Sequence, residues 1–244
     1  MSSHAVSRIP KIHLLCMQEH FADAFKEASR SRKLPASVEV QIHDCALAQL
    51  PPSVQFDAIV SPANSYGRLD GAFDDAISRA LSPRDDYLAL THVVQKRLYE
   101  TRRGFAPPGS CTLVHIPKSF KDRSRNIWGT RYVALCPTMR MPNDVRWDRE
   151  VVYECIWSLL CEVDNHNKMM EMGHPREYAE TIQNILMTPL ATGVGRVSAT
   201  TWANQAVLAI KHFVEAAENP DKWSALDWQD FGRPCAEVQL TWEK

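Results

Sequence analysis

Short apolar segments alternate with amphipathic helical patterns along this chain of 244 residues. The apolar segments have the length and the β-branched content of buried strands. They cover residues 12–17, 38–43, 57–61, 111–116, 132–136 and 184–190. A chain that alternates strands with helices buries one sheet beneath helices on both of its faces. The sequence therefore predicts a layered α/β fold.

Five helices are predicted between and after these strands. The clearest one repeats apolar residues at helical period from Val152 to Val163. The other four cover residues 19–30, 73–81, 86–103 and 199–217. No break in composition divides the chain, so residues 1–220 are predicted to form one domain and residues 221–244 an extension packed on it. Val238, Leu240 and Trp242 alternate there, which indicates a short extra strand.

Composition and charge exclude several classes of protein. A net charge of −1 lacks the basic excess of a dedicated nucleic-acid binder. The seven cysteines form no Cys-x-x-Cys pair, and the nine histidines lack metal-site spacing, so no metal is predicted. His166 and His174 are predicted to lie at exposed loop or helix-end positions. With no signal peptide or membrane span in the sequence, we expect a cytoplasmic or nuclear protein.

Two strand-to-helix junctions carry the residues of a candidate ligand site. The first is DAIVSPANSYGRLDGAFDDAI at residues 57–77, and the second is LATGVGRVSATTWANQA at residues 190–206. In open α/β sheets, ligands bind beyond the carboxyl ends of the strands, where glycines let backbone amides approach an anion. A glycine that only serves a turn explains Gly193 and Gly195 equally well. Neither junction has the spacing of a P-loop or a Rossmann fingerprint.

At these junctions the chain resembles the macro domain family. In that family the first loop typically reads Asp-Ala-Ile-Val-Asn-Ala-Ala-Asn, followed by a glycine run and Val-Asp-Gly-Ala-Ile. The segments IHDCALAQL, GSCTLVHIP, RYVALCPTM and LMTPLATGVGRVSATTWANQA are similar to further family segments and come in family order. This chain has Ser-Pro-Ala-Asn in the first loop, an Asp-Gly pair after it and a later CPTMR segment. This form of the motifs resembles a divergent macro-like branch of the family. The resemblance implies a three-layer α/β/α sandwich with a central mixed sheet, and ADP-ribose or a close derivative as ligand.

The resemblance also implies roles for individual residues. Asp44 would accept a hydrogen bond from the adenine amino group, although a turn or a helix cap is an equally good interpretation. Asn64 would bond the distal ribose hydroxyls. Tyr66 would cover that ribose or pack as a surface aromatic residue. The remaining ligand-binding residues, which include the backbone on both sides of the diphosphate, are Cys45, Gly71, Ala72, Phe73, Thr192, Gly193, Val194, Gly195 and Arg196.

The chain departs from the family pattern in both loops. Leu69, Asp70, Gly71 and Ala72 replace the usual glycine run, which places a carboxylate beside the expected phosphates. The second loop lacks the usual aromatic residue, and Arg196 compensates in this interpretation by pairing with phosphate.

Catalysis, binding and protein interaction are the three functions that these residues allow. Asp74, with Asp70 as an additional candidate, would orient or activate water in a hydrolase of ADP-ribose 1″-phosphate or of protein-linked ADP-ribose. Alternatively, Asp74 complements the N-terminus of a helix in a binding module, which is the preferred interpretation. A degenerate fold used as an interaction scaffold is the third. The predicted partners are ADP-ribose or a related nucleotide and an ADP-ribosylated protein, with no cofactor and no membrane.

Overall fold

A computed structural model describes residues 9–172 and 180–242 of the chain. The strands are β1 (Lys11–Leu15), β2 (Val40–His43), β3 (Ala58–Ser61), β4 (Thr112–His115), β5 (Tyr132–Leu135) and β6 (Asn184–Met187). The helices are α1 (Glu19–Ser31), α2 (Ala72–Leu81), α3 (Ala89–Arg102), α4 (Val151–Glu171), α5 (Ala199–Glu218), α6 (Pro220–Trp223) and α7 (Gly232–Gln239). Short 3₁₀ helices cover Leu47–Gln49 and Lys118–Phe120.

The six strands form one mixed sheet in the order β2-β1-β6-β3-β5-β4. All neighbours are parallel except β4 and β5, which pair antiparallel. In the parallel part, the carboxyl ends of β1, β2, β3, β5 and β6 meet at one edge of the sheet. The loops that follow these strands therefore share that edge, which is where ligands bind in open α/β sheets.

Successive residues of each strand face opposite sides of the sheet, and each side has its own apolar core. On β3, Val60 packs in the core that contains α1, α4 and α5, whereas Ile59 packs in the core that contains α2 and α3. Both residues are fully buried. Helices therefore cover both faces, and the predicted α/β/α arrangement with a central mixed sheet is confirmed.

The predicted strands and the five long helices are present. Their ends differ from the prediction by at most three residues, except that α4 continues eight residues beyond the predicted Val163. The extra strand at the end of the chain is wrong, because residues Gly232–Gln239 form α7 instead. Val238 is buried and Leu240 is exposed, as expected of residues on opposite sides of a helical turn rather than on one side of a strand.

The segment after residue 220 contacts the rest of the chain through charged and aromatic side chains. Glu237 on α7 accepts a hydrogen bond from Lys211 on α5, and the Trp223 ring stacks on Trp157 at 5.7 Å between centroids. Trp228, by contrast, is 85% exposed. The tail is thus attached at several points, although one of its tryptophans faces solvent.

The two histidine predictions have different outcomes. His166 is buried on α4, with its Nε2 atom 2.9 Å from the carbonyl oxygen of Glu180, so its predicted exposure is wrong. His174 lies outside the described residues. Within the ranges that the structure describes, no helix is both long and apolar enough to cross a membrane.

Candidate functional site

The sheet order places the two glycine-containing loops side by side. The first loop (residues 62–71) connects β3 to α2, and the second loop (residues 188–198) connects β6 to α5. Because β3 and β6 are paired neighbours, with Ala58 opposite Ile185, both loops leave adjacent strand tips. The sequence alone did not specify this adjacency.

The side chain of Asn64 holds the first loop together. Its Oδ1 atom accepts hydrogen bonds from the backbone amides of Tyr66 at 3.0 Å and Arg68 at 3.4 Å. Its Nδ2 atom donates to the Arg68 carbonyl oxygen at 2.9 Å. Such Asx-type bonds replace backbone hydrogen bonds in a turn. One amide hydrogen of Asn64 is thereby used within the loop, and the second is available to another acceptor.

Buried hydrogen bonds and close packing hold residues 67–69 of the first loop in place. The Leu69 side chain is fully buried, its amide donates to Thr91 Oγ1, and its carbonyl oxygen accepts from Ser78 Oγ at 2.6 Å. Gly67 has a φ of +66°, and an added Cβ would lie 2.8 Å from Val94 Cγ1. Both the conformation and the close approach require glycine there. The loop therefore has a defined shape before any ligand arrives.

The first loop ends where α2 begins, at Gly71, Ala72 and Phe73. Gly71 is the N-cap residue and supplies no side-chain cap, and Ala72 has a φ of +49°. A Cβ at Gly71 would meet no atom within 4 Å, so this backbone borders open space. The Phe73 ring packs in the core beside Ile77, which leaves only its main chain for the predicted ligand contact.

The two predicted catalytic carboxylates lie in different surroundings. Asp74 is 8% exposed, and Ser61 at the end of β3 donates a hydrogen bond to it at 2.6 Å. Burial raises the pKa of Asp74 to about 7, although the Ser61 bond acts against this rise. Asp70 is exposed and forms an ion pair with Arg68, whose Nε lies 2.9 Å from Asp70 Oδ2. The positive charge of Arg68 thus offsets the negative charge of Asp70, which was expected to lie beside the phosphates of the ligand.

The second loop is a compact turn. The amide of Arg196 donates to the Gly193 carbonyl oxygen at 3.0 Å, and the Thr192 hydroxyl donates to the Pro189 carbonyl oxygen at 3.1 Å. A Cβ on Gly195 would lie 2.4 Å from the Ala191 carbonyl oxygen, whereas one on Gly193 would meet nothing within 4 Å. Gly195 therefore closes the turn, and Gly193 presents its backbone to open space beside the exposed Val194 side chain.

Unusual backbone conformations occur in the second loop and where the first loop meets α2. Among the described residues, five non-glycine residues have positive φ, and three of them are Ala72, Ala191 and Arg196. The left-handed region is costly for residues with a Cβ, and such strain is often found at functional sites.

A third loop joins the other two, and the sequence analysis assigned it no role. This middle loop (residues 136–150) connects β5 to α4. Ser65 in the first loop donates from its amide to Met139 at 3.0 Å, and Val145 donates from its amide to Gly195 in the second loop at 3.0 Å. Arg196 Nη1 also lies 3.9 Å from Asp144 Oδ2. The middle loop follows a strand of the parallel part of the sheet and so lies at the same edge, and this was the feature from which its role could have been predicted.

Tyr66, Asp44 and Cys45 occupy the borders of this edge. Tyr66 is 42% exposed and makes an edge-on contact with Phe105, with 5.7 Å between ring centroids. Asp44 and Cys45 follow β2, which β1 separates from the two glycine loops. Asp44 is exposed, and its charge adds to burial in raising the pKa of Cys16 at the tip of β1 to about 12. Because β1 lies between β2 and β6, Asp44 is nearer the second loop than the first in the strand order.

Five of the large apolar side chains that the structure describes are exposed in the loops that follow the strands at this edge. They are Met17, Tyr66, Met141, Trp147 and Val194.

A cavity of about 990 Å³ lies elsewhere, along the outer edge of β4 between α3 and α4. Its walls include Lys96, Thr112, His115 and Glu162, and none of its lining residues comes from the first or second loop. The position of this cavity and the strand topology therefore indicate different locations for a ligand site. We favour the topology, because backbone amides bordering open space suit a phosphate ligand better than a groove of mixed charges. Over the described ranges, no group of three metal-ligating side chains comes together.

No protein-family model matches the chain, and no curated protein sequence matches it. Among solved structures, the chain is similar to the Oceanobacillus iheyensis macrodomain. A glycine-to-valine mutant of that protein with ADPR is 14% identical, with a TM-score of 0.44 over 80% of this chain and 92% of that chain. The same macrodomain with ADP is 14% identical, with a TM-score of 0.43 over 78% and 88%. These values describe a distant likeness.

Proposed function

We propose that this protein binds ADP-ribose or a close derivative at the edge formed by the first and second loops. The observation that carries the proposal is the pairing of β3 with β6, which sets the two glycine loops at adjacent strand tips. The macro domain resemblance assigns these same loops to the two sides of a diphosphate. Sequence motif and strand order thus support one ligand site from independent directions.

Backbone amides supply the contacts to the diphosphate in this proposal. On one side, Gly71 and Ala72 stand at the N-terminus of α2, where the helix dipole favours an anion. On the other side, Gly193, Val194 and Gly195 form the exposed part of the second loop. Because Gly71 and Gly193 leave open space at their Cβ positions, a ligand can approach both backbones closely.

Asn64 acts at the distal ribose with the part of its amide that the loop does not use. Its Oδ1 atom and one amide hydrogen hold the first loop, which fixes the orientation of the second hydrogen. That hydrogen donates to a ribose hydroxyl. The cost of ordering the side chain is met before binding, and such preorganisation favours affinity.

Calorimetric titration with ADP-ribose tests the site through three glycine variants. Gly71→Val and Gly193→Val place a side chain where the free protein has open space, so the fold is retained while ligand approach is blocked. We expect either change to weaken binding by at least about tenfold, which is about 1.4 kcal/mol. Gly232→Val is the matched control, because Gly232 also borders open space but begins α7, away from both loops.

Two results would contradict this proposal. One is an absence of heat when the unaltered protein is titrated with millimolar ADP-ribose. The other is equal affinity for the Gly71→Val, Gly193→Val and Gly232→Val proteins, since the ligand would then lie elsewhere. Melting temperatures of the three variants show whether each one is folded.

Hydrolysis of ADP-ribose 1″-phosphate or of protein-linked ADP-ribose is a second candidate function. The observation that favours it is Asp74, a buried carboxyl whose pKa of about 7 suits proton transfer near neutral pH. Phosphate release from ADP-ribose 1″-phosphate tests it directly. We expect turnover to be lost in Asp74→Asn, and turnover that persists in both Asp74→Asn and Asp70→Asn would exclude a catalytic role for either carboxylate.

A further inference from the structure

We propose that Arg140 selects ligands that carry a phosphate group on the sugar contacted by Asn64. The inference rests on the proposed function, because it places an additional anion subsite beside the ADP-ribose site. The contacts of the middle loop carry it. Neither the family motifs nor the glycine loops assign a role to this arginine.

The guanidinium of Arg140 is oriented by an aromatic ring. Its Cζ atom lies 5.0 Å from the centre of the Phe105 ring, and Tyr66 contacts the same ring edge-on at 5.7 Å. A guanidinium that lies over an aromatic face is held electrostatically and loses less freedom when it binds a ligand. Its N–H groups remain available at the edge of the guanidinium plane.

Ser65 fixes this cluster next to Asn64. The Ser65 amide donates to the carbonyl oxygens of Met139 at 3.0 Å and Arg140 at 3.3 Å, and the Ser65 carbonyl oxygen accepts from the amide of Ala106 at 2.9 Å. A β-bridge pairs Asn64 with Met139. One residue of the first loop therefore holds both the Arg140 backbone and the segment that carries Phe105.

Arg140 differs in its charge environment from three other arginines of these loops. Arg68 pairs with Asp70, while Arg146 and Arg196 both face Asp144. In the described part of the chain, Arg140 forms no ion pair with a carboxylate. Arg149, at the end of the middle loop, has no such ion pair either, but the contacts of Ser65 hold Arg140 rather than Arg149 next to Asn64. The Arg140 charge is therefore the one that a ligand anion beside Asn64 meets.

Phosphate is the anion that fits this arrangement. The guanidinium presents parallel N–H groups that match two phosphate oxygens, and such charge-assisted pairs are stronger than neutral hydrogen bonds. The diphosphate is already assigned to the amides of the glycine loops. A second phosphate attached to the distal ribose, next to Asn64, supplies the missing counter-charge.

The test compares ADP-ribose with ADP-ribose 1″-phosphate by calorimetric titration, with phosphate release followed in the same samples so that affinity is measured before turnover. We expect the unaltered protein to bind the phosphorylated compound about tenfold more tightly, the equivalent of about 1.4 kcal/mol. In Arg140→Gln this ratio falls to near one. Arg149→Gln is the matched control, because Arg149 also lies over an aromatic ring, that of Trp242 at 5.1 Å, and it keeps the ratio.

The possible outcomes separate this inference from the function on which it rests. Binding of both compounds with equal affinity overturns the role of Arg140 and leaves the ADP-ribose site standing. A preference that survives Arg140→Gln, or that disappears equally in Arg149→Gln, also overturns it. No binding of either compound overturns both proposals. If Arg140→Gln does not fold, Arg140→Lys serves instead, and we expect it to keep the charge but reduce the ratio, because it lacks the paired donors.

Discussion

The hydroxyl of Ser61, at the carboxyl end of β3, donates a hydrogen bond of 2.6 Å to the carboxyl group of Asp74 in the first turn of α2. Burial raises the pKa of that carboxyl to about 7; the Ser61 bond lowers it and the charge of Asp70 raises it. A carboxyl group in this position changes its protonation near neutral pH. Asp74 follows Gly71, whose backbone is proposed to bind phosphate, by three residues, and its amide donates to the Gly71 carbonyl oxygen at 3.0 Å.

Asp74 makes the stability of the protein depend on pH. The unfolded chain releases this proton near pH 3.8, whereas the folded chain keeps it until about pH 7. The stabilising contribution is therefore complete below pH 3.8 and is lost as the pH rises to about 7. The two pKa values correspond to a contribution on the order of 4 kcal/mol, which Asp74→Asn abolishes. Urea unfolding at several pH values between 4 and 8 measures it.

The difference between the unaltered protein and Asp74→Asn is the informative quantity. His13 is buried with a pKa lowered to about 4, so it contributes a slope of the opposite sign. Asp75→Asn is the control, since hydrogen bonds from Arg79 and Tyr87 lower the pKa of Asp75. Its contribution is present above the ordinary pKa and is lost on acidification. Parallel curves for Asp74→Asn and the unaltered protein would contradict the buried-acid assignment.

Asn64→Ala is expected to loosen the first loop even without ligand. The substitution removes the acceptor of the Tyr66 and Arg68 amides and the donor to the Arg68 carbonyl oxygen. Hydrogen exchange at the Tyr66 amide should therefore become faster in the free protein, and affinity for ADP-ribose should fall by about 1–3 kcal/mol. Exchange measured by NMR, together with calorimetry, separates the two effects. Unchanged exchange with weakened binding would mean that Asn64 acts on the ligand alone.

Gly193 and Gly195 are expected to differ in their tolerance of a side chain, although only one residue separates them. Gly195→Ala places a Cβ 2.4 Å from the Ala191 carbonyl oxygen, a backbone atom that cannot move away cheaply. We expect a loss of about 1–3 kcal/mol in the free energy of unfolding. Gly193→Ala meets no atom and should leave the free energy of unfolding within about 0.5 kcal/mol of the unaltered protein. Equal stabilities in chemical denaturation would contradict the tight turn.

Much of the fold was predictable because burial imposes periodicity on the sequence. Strands such as β3 are buried on both faces and appear as continuous apolar runs, and α4 repeats its apolar residues at helical spacing. The extra strand in the tail was wrongly predicted because periodicity is a weak guide in a short segment. Val238, Leu240 and Trp242 alternate over only five residues, which is too short to distinguish a strand from a helix that buries Val238 alone.

The candidate site was predictable only as two motifs. The sequence named the loops after β3 and β6, but their adjacency is a property of strand order, which local patterns do not encode. Pairs such as Phe105 with Arg140, 35 positions apart, form through tertiary contacts. The burial of Asp74 could not be predicted from the sequence either, because an aspartate in the first turn of a helix is ordinarily an exposed partner of the helix dipole.

The ion pair between Arg68 and Asp70 sets the charge of the first loop, where the diphosphate of the ligand is proposed to bind. Both side chains are partly exposed, at 51% and 38%, so the effects on affinity are modest and depend on salt. Arg68→Gln leaves the Asp70 carboxylate uncompensated next to Gly71, and we expect weaker binding of ADP-ribose, by up to about fivefold at low ionic strength. Asp70→Asn frees the guanidinium of Arg68 and should strengthen binding by a similar factor.

Calorimetry at low and high salt, with the double variant as control, checks this assignment. The double variant carries neither charge and should resemble the unaltered protein, because the two single effects cancel when they act only through the pair. Stronger binding in Asp70→Asn would also explain how the loop tolerates a carboxylate at a position where the macro domain pattern has glycine. Weaker binding in Asp70→Asn would instead show that the Asp70 carboxylate contacts the ligand itself, as an acceptor for a ribose hydroxyl.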